Sequence, residues 1–425
     1  MQWLFPQQPK RRRRHVAGSN TTSSSRRSRE LEPSADLWDL VLDMNWQRVI
    51  DHAREHPHDA EWQDGHWHET PLYLACQHNP PQEVIHAIRD AYPQAVLIPT
   101  RANHDLPLHI ACRYQLSKEV LEALVQDFPV TAVEQTRWGR TPIMALWEFR
   151  PKDRPLDEEF WKKIEVLLLA VARFREDPRY LNQEPATRTK SFRKPLGHES
   201  PSPWTKNRDD CLMVHAAVSL GTLSCPAEVL EHVLTKWSGQ VQIQDTWGQL
   251  PLHIVVGPTT WSPTTRRKYK PREQKFLSLL LQAYPHAAQE RSCTNENHDH
   301  DHHHHHRYPL HSALANRHTW EGGVQDLFHA APHVLTIPDP FTRLYPFQLA
   351  AIPVGDTIVD LDTIYHLLRA QPDVLRLFDC SFSISAENRM QGRSVLPCPN
   401  ILHETLIGTL SAIMIGGLAG LFFWE

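Results

Sequence analysis

The chain has 425 residues, and its 45 Lys and Arg nearly balance 49 Asp and Glu, for a net charge of −4. That balance excludes a global electrostatic pull toward nucleic acid, so basic residues matter only where they cluster. With 40% hydrophobic residues the composition is that of a folded protein, and 34 prolines against 16 glycines suit short helices stopped by proline rather than glycine-turned strands.

Residues 1–34 read as a disordered basic and serine-rich tail. Lys10 to Arg14 form an unbroken basic run, and no apolar stretch of a secretory signal follows it. The run is either a targeting patch or a solvated tail. The seven cysteines include no C-x-x-C pair, which points to a reduced compartment rather than a disulfide framework.

Between residues 35 and 379 one motif comes back. Leu106-Pro107-Leu108-His109 recurs as Leu250-Pro251-Leu252-His253 and as Tyr308-Pro309-Leu310-His311. Thr70-Pro71-Leu72, Thr141-Pro142 and Tyr345-Pro346 keep the proline. Pro71 to Pro107 is 36 residues, Pro107 to Pro142 is 35, and Pro309 to Pro346 is 37. Such a period predicts a solenoid. Each proline suits the first turn of a short helix, where its missing N–H costs nothing. Ser117 then suits the N-cap of a second helix, with Val120, Leu121, Leu124, Val125 and Phe128 as its apolar stripe and Pro129 as its stop. Val84, Ile85, Ile88, Tyr92 and Pro93 match that helix position by position. Leu37 to His56 is a degenerate first unit, as a capping repeat would be. Cys76 and Cys112, 36 apart, read as small buried residues between helices.

Asp245-Thr246-Trp247-Gly248-Gln249-Leu250-Pro251-Leu252-His253 resembles the ankyrin-repeat pattern D-x-x-G-x-T-P-L-H, and Arg137-Trp138-Gly139-Arg140-Thr141-Pro142 carries the same turn and Thr-Pro pair. The resemblance implies two antiparallel helices and an outward hairpin finger per repeat, with Gly139 and Gly248 turning the finger. The chain departs from the pattern where Leu replaces Thr before Pro107 and Pro251, and where proline replaces the glycine that closes the second helix. The expected fold class is all-α: a helical-repeat solenoid of divergent ankyrin type, two helices per repeat with finger loops, in seven or eight repeats, plus a C-terminal hydrophobic helix.

Three inserted loops are expected, at 177–210, 258–272 and 291–307. The second holds Arg266, Arg267, Lys268, Lys270 and Arg272 beside Trp261 and Tyr269, either a solvated loop or a contact for a phosphate-rich partner. The third holds His298, His300, His302, His303, His304, His305 and His306. Imidazoles at this density bind divalent transition metals adventitiously, but a specific site needs fixed geometry, so no metal site and no cofactor are expected. Residues 380–400 read as a linker and 401–425 as a candidate transmembrane helix. The stretch 405–424 is 20 residues without a charge, enough for about 30 Å of helix. Gly408, Ala412, Gly416 and Gly420 fall four apart, a small-residue face that would let two such helices pack as a homodimer. A buried soluble helix is the competing reading, disfavoured by what those glycines would cost it. The expected location is cytosol-facing and membrane-anchored, with soluble cytoplasmic or nuclear as the alternative.

The chain lacks H-E-x-x-H, a G-x-x-x-x-G-K-[ST] loop and a G-x-S-x-G elbow. His109, His253 and His311 read as bonding to the backbone of the neighbouring finger. The expected function is a non-enzymatic protein–protein interaction scaffold, with other proteins as partners and nucleic acid not among them. Arg137, Trp138, Arg140 and Trp247 are the candidate anchors, because Trp and Arg dominate interface hot spots; packing between fingers is the alternative role. A metal- or pH-responsive protein using the His-rich loop is the alternative function.

Overall fold

The computed structural model describes residues 34–153, 155–176, 211–221, 224–257, 271–292, 307–352 and 360–373. Among the described residues every regular element is helical and there is no strand. The α-helices of the described residues fall into eight successive pairs: α1 (Asp36–Leu42) with α2 (Trp46–Glu55), α3 (Pro71–Gln77) with α4 (Gln82–Ala91), α5 (Pro107–Arg113) with α6 (Lys118–Val125), and α7 (Pro142–Glu148) with α8 (Glu158–Glu176). They continue as α9 (Met213–Ser219) with α10 (Ala227–Lys236), α11 (Pro251–Val256) with α12 (Pro271–Ala283), α13 (Pro309–Ala315) with α14 (Gln325–Ala330), and α15 (Pro346–Ala351) with α16 (Leu361–Ala370).

Local chemistry accounts for the boundaries. Pro71, Pro107, Pro142, Pro251, Pro309 and Pro346 each occupy the first position of their helix, and all are buried. Thr70 and Thr141 cap their helices by accepting from the Tyr73 and Met144 N–H. Two residues past the end of five first helices the chain turns through a left-handed residue: Met44, Asn79, Gln115, Gly221 and Arg317, at φ 52°, 49°, 56°, 72° and 68°. Only one of the five is glycine, so the others bear a left-handed strain of about 1–2 kcal/mol each that packing must hold. Ser117 caps α6 through the Val120 N–H. Pro57, Pro93, Pro129, Pro285 and Pro332 end the second helices and at the same time open short 3-10 turns whose Ala60, Ala95, Ala132, Ala287 and Val334 are buried.

First helices pack on first helices, α1 on α3, α3 on α5, α5 on α7, then α9, α11, α13 and α15 in order. Second helices do the same from α2 through α8 and from α10 through α14. Leu72, Leu108, Leu252 and Leu310, at the second position of their helices, are at most 1% exposed and belong to one continuous core. Cys76 and Cys112 hold the same position in α3 and α5, fully buried where those helices meet. At 19 residues α8 is longer than every other second helix among the described residues, and it reaches across to pack on α9 as well as α6.

Helix α12 opens at Pro271, so the stretch expected as a loop through 272 yields to helix at its end. The remaining insertions at 177–210, 258–270 and 293–306 lie outside the described residues, as do the tail 1–33, His298 to His306, the linker 380–400, and Gly408, Ala412, Gly416 and Gly420. No helix among the described residues is long and apolar enough to cross a membrane.

Candidate functional site

Between a second helix and the next first helix the chain reverses in a tight turn. Five such fingers are closed by backbone bonds: Asp64 N–H to Glu69 O at 2.9 Å, Thr100 to Asp105 at 3.0 Å, Thr136 to Arg140 at 2.9 Å, Asp245 to Gln249 at 2.9 Å and Asp339 to Leu344 at 2.8 Å. Four of the opening Asp and Thr side chains also satisfy N–H groups inside their turns. Asp64 Oδ2 accepts from His66 and Trp67, Thr136 Oγ1 from Trp138 and Arg140, Asp245 Oδ1 from Trp247 and Gln249, and Asp339 Oδ2 from Thr342. The two shorter fingers need a left-handed residue just before they close, filled by Gly139 at φ 74° and Gly248 at φ 65°. The three longer ones place His68, His104 and Arg343 there, at φ 58°, 58° and 60°.

Adjoining fingers are bonded to each other. Arg101 N–H donates to Trp67 O at 2.9 Å, and Arg137 N–H donates to Asn103 O at 2.7 Å. The first three fingers therefore form one continuous ledge. Its base is held by histidine. His109 Nδ1 accepts from the Leu106 N–H at 3.1 Å, which leaves the proton on Nε2 to donate to Arg140 O at 3.1 Å. His253 repeats the arrangement, from Leu250 N–H to Glu290 O, both at 3.1 Å. His215 and His311 bond through Nε2 to Gln249 O and Ile337 O. Leucine at a helix start has no oxygen to cap with, so the histidine three residues on supplies the acceptor that threonine supplies in α3 and α7. Burial pushes all four imidazoles down to about 4. Burial likewise pushes the Cys76, Cys112 and Cys225 thiols well above their ordinary range. The four imidazoles are committed to backbone carbonyls and the three thiols to the core.

The candidate anchors part company. Trp138 is 70% exposed and Arg137 is exposed beside it. Arg140 is half-buried; its carbonyl takes the His109 bond and its guanidinium pairs with Glu148 at 3.1 Å. Trp247 lies in a separate finger, half-buried under the Arg175 guanidinium at 5.5 Å, while Arg175 bonds Asp245 at 2.8 Å. Two further fingertip aromatics escaped the sequence reading: Trp67, 44% exposed, and Phe341, 38% exposed and overlaid by Arg307 at 5.0 Å. Neither of their fingers has glycine at its left-handed position, which His68 and Arg343 occupy. The 36-residue step from His68 to His104, equal to that from Pro71 to Pro107, marks the finger of Trp67 but not that of Phe341.

The base of the His-rich insertion is fixed even though the tract itself is outside the described residues. Ser292 N–H bonds Arg307 O at 3.2 Å, and Arg307 makes a two-pronged bond to Asp339 at 2.7 and 2.8 Å, with the Asp339 side chain fully buried. Burial alone would raise the Asp339 carboxyl, but the Arg307 and Thr342 bonds outweigh it and hold it below the usual range.

An open cleft of about 550 Å³ lies between α6, α8 and α10, lined by Lys118, Glu158, Trp161, Lys162, Glu165, His232 and Lys236. Trp161 and His232 stack across it at 3.8 Å and 7°. Each lysine already holds a carboxylate, of Glu122, Glu158 and Glu165, so the cleft offers no spare charge. Among the described residues no three His, Cys, Asp or Glu side chains converge to hold a metal ion. No protein-family model matches the chain, and no curated protein matches it significantly.

Proposed function

We propose that the chain is an ankyrin-type helical-repeat solenoid working as a non-enzymatic protein-interaction scaffold, with the fingers as its contact surface. The observation that carries this reading is the bonded ledge of three fingers with Trp67 and Trp138 exposed along it. Among the described residues, eight helix pairs stacked in chain order, a finger before five of the first helices, and histidines that tie the start of a first helix to the turn ahead of the following one support the architecture. Large aromatic side chains left exposed on the fingers are available to a partner. Attachment to a membrane through 405–424, with Gly408, Ala412, Gly416 and Gly420 pairing two copies, belongs to the same proposal and rests on the uncharged run.

The test is a comparison of crosslinked partners captured by the wild-type chain and by Trp67→Ala/Trp138→Ala. Loss of a defined set supports the finger surface, and an unchanged set overturns it. For the anchor, carbonate extraction of membranes should retain the whole chain and release one lacking 405–425; release of the whole chain overturns that part.

A further inference from the structure

We infer that the ledge of the first three fingers takes an extended acidic segment of a partner protein whose carboxylates recur every third residue. This rests on the scaffold reading and gives its partner a chemistry.

The ledge sorts its charges by depth. Its carboxylates face inward: Asp105 has a 2% exposed side chain near Arg113, Asp64 accepts from the backbone of its own turn, and Glu69 and Glu134 are half-buried. Burial raises the Glu69 and Glu134 carboxyls, the sign of groups withdrawn from water. Its cations face outward. Arg101 and Arg137 are both exposed, and among the described residues neither has a carboxylate partner. The result is a strip of free guanidiniums and indoles on a chain whose net charge is −4.

The spacing selects the ligand. Arg101 follows Thr100 and Arg137 follows Thr136, so the two hold the same place in adjoining fingers. A finger has two limbs, and hydrogen-bonded limbs lie about 4.8 Å apart, so equivalent residues of bonded neighbours repeat at about 10 Å. A polyproline II chain turns once every three residues and rises about 3.1 Å per residue, so carboxylates three residues apart lie on one face about 9 Å apart and meet both guanidiniums. Each guanidinium can take a carboxylate through two parallel N–H bonds, and Trp67 and Trp138 cover the apolar residues between. Arginine and tryptophan also suit single-stranded nucleic acid, but tight binding there needs a long row of phosphate contacts, and two arginines do not make one.

The experiment is fluorescence anisotropy on the full chain at physiological salt with three labelled probes: a peptide with glutamate at every third position among Pro and Leu, a peptide of the same composition with its glutamates contiguous, and a short oligo-dT. The spaced peptide should bind about tenfold more tightly than the contiguous one, a difference of about 1.4 kcal/mol. Arg101→Glu/Arg137→Glu should abolish the preference, and Arg137→Lys, which keeps the charge but not the fork, should fall between. Both arginines are exposed, so these variants should keep the wild-type circular dichroism. Equal binding of the two peptides, binding unchanged by charge reversal, or tighter binding of oligo-dT overturns the inference. If the peptides fail while Trp67→Ala/Trp138→Ala still loses its crosslinked partners, the acidic chemistry falls and the scaffold reading stands. If both fail, both fall.

Discussion

Acid should loosen this protein through its buried histidines before its carboxylates titrate. His109, His215, His253 and His311 have ordinary values of 6.5 when unfolded and about 4 when folded. A depressed folded value means the stabilisation is complete above 6.5 and drains away as pH falls toward 4, because the unfolded chain binds the protons first. For one such histidine the loss by pH 5 is about 2 kcal/mol, and four together approach the whole stability of a typical domain. Glu69, Glu134 and Asp245, raised by burial, act with the opposite sign and offset part of the loss at the acid end of that window. The control lies within the fold. In α15 the third position is Gln348, whose Oε1 accepts the Tyr345 N–H at 2.8 Å without titrating. His109→Gln/His253→Gln should therefore keep the helix-start bond, lose about 1 kcal/mol per site at neutral pH with the carbonyl bond, and flatten the acid dependence by about 2 kcal/mol per site at pH 5. Urea titrations followed by circular dichroism between pH 7.5 and 5 measure both. Parallel curves for wild type and variant would refute the reasoning.

Three other substitutions or probes follow from the same geometry. Asp339→Asn strands the Arg307 guanidinium in a buried site and should cost about 3–5 kcal/mol in urea unfolding, with Arg307→Met/Asp339→Leu recovering part of it. Gly248→Ala forces a Cβ into φ 65° and should lower the unfolding free energy from urea titration by about 1–2 kcal/mol, whereas Trp138→Ala at 70% exposure should leave it within about 0.5 kcal/mol. Cys76, Cys112 and Cys225, all buried, should react with a thiol reagent only on unfolding, read by mass mapping of the labelled chain.

Much of the architecture is legible because it rests on local rules. A proline at a helix start and an apolar stripe ending at the next proline depend only on neighbours in sequence, so the helix pairs could be counted from Pro71 to Pro372. The fingers were half legible. Gly139 and Gly248 announce a left-handed turn, while His68, His104 and Arg343 adopt the same conformation with side chains that announce nothing. The exposure of the candidate anchors was not legible. Trp138 and Trp247 sit in matching turns, yet Arg175, anchored 70 residues away on Asp245, covers only the second. The recurrent histidine carried its period openly, but its double duty could not be read until Leu106 and Leu250 were seen to lack a cap of their own.

The junction after α8 decides whether the helix pairs form one array or two. Consecutive second helices pack directly from α2 through α8 and from α10 through α14, while α8 reaches α10 by the Trp161–His232 stack and the Glu165–Lys236 pair. The length of α8 strengthens the junction: its extra turns bury Val166, Ala170, Val171 and Phe174 and pack on α9. The Gln135 and Thr141 side chains add bonds to Ser224 at 3.2 and 2.6 Å, and Arg175 adds the pair to Asp245. Burying even four such side chains contributes roughly 6–10 kcal/mol before entropy is subtracted, which exceeds what a surface ion pair supplies. The two sides of the junction should thus stay together without a covalent link. A protease site placed within 177–210 tests this: after cleavage the two pieces should co-elute on gel filtration at the volume of the intact chain, and Phe174→Asp should separate them. Separation of the cleaved wild-type pieces would mean that the backbone connection, not the α8–α9 contact, holds the array together.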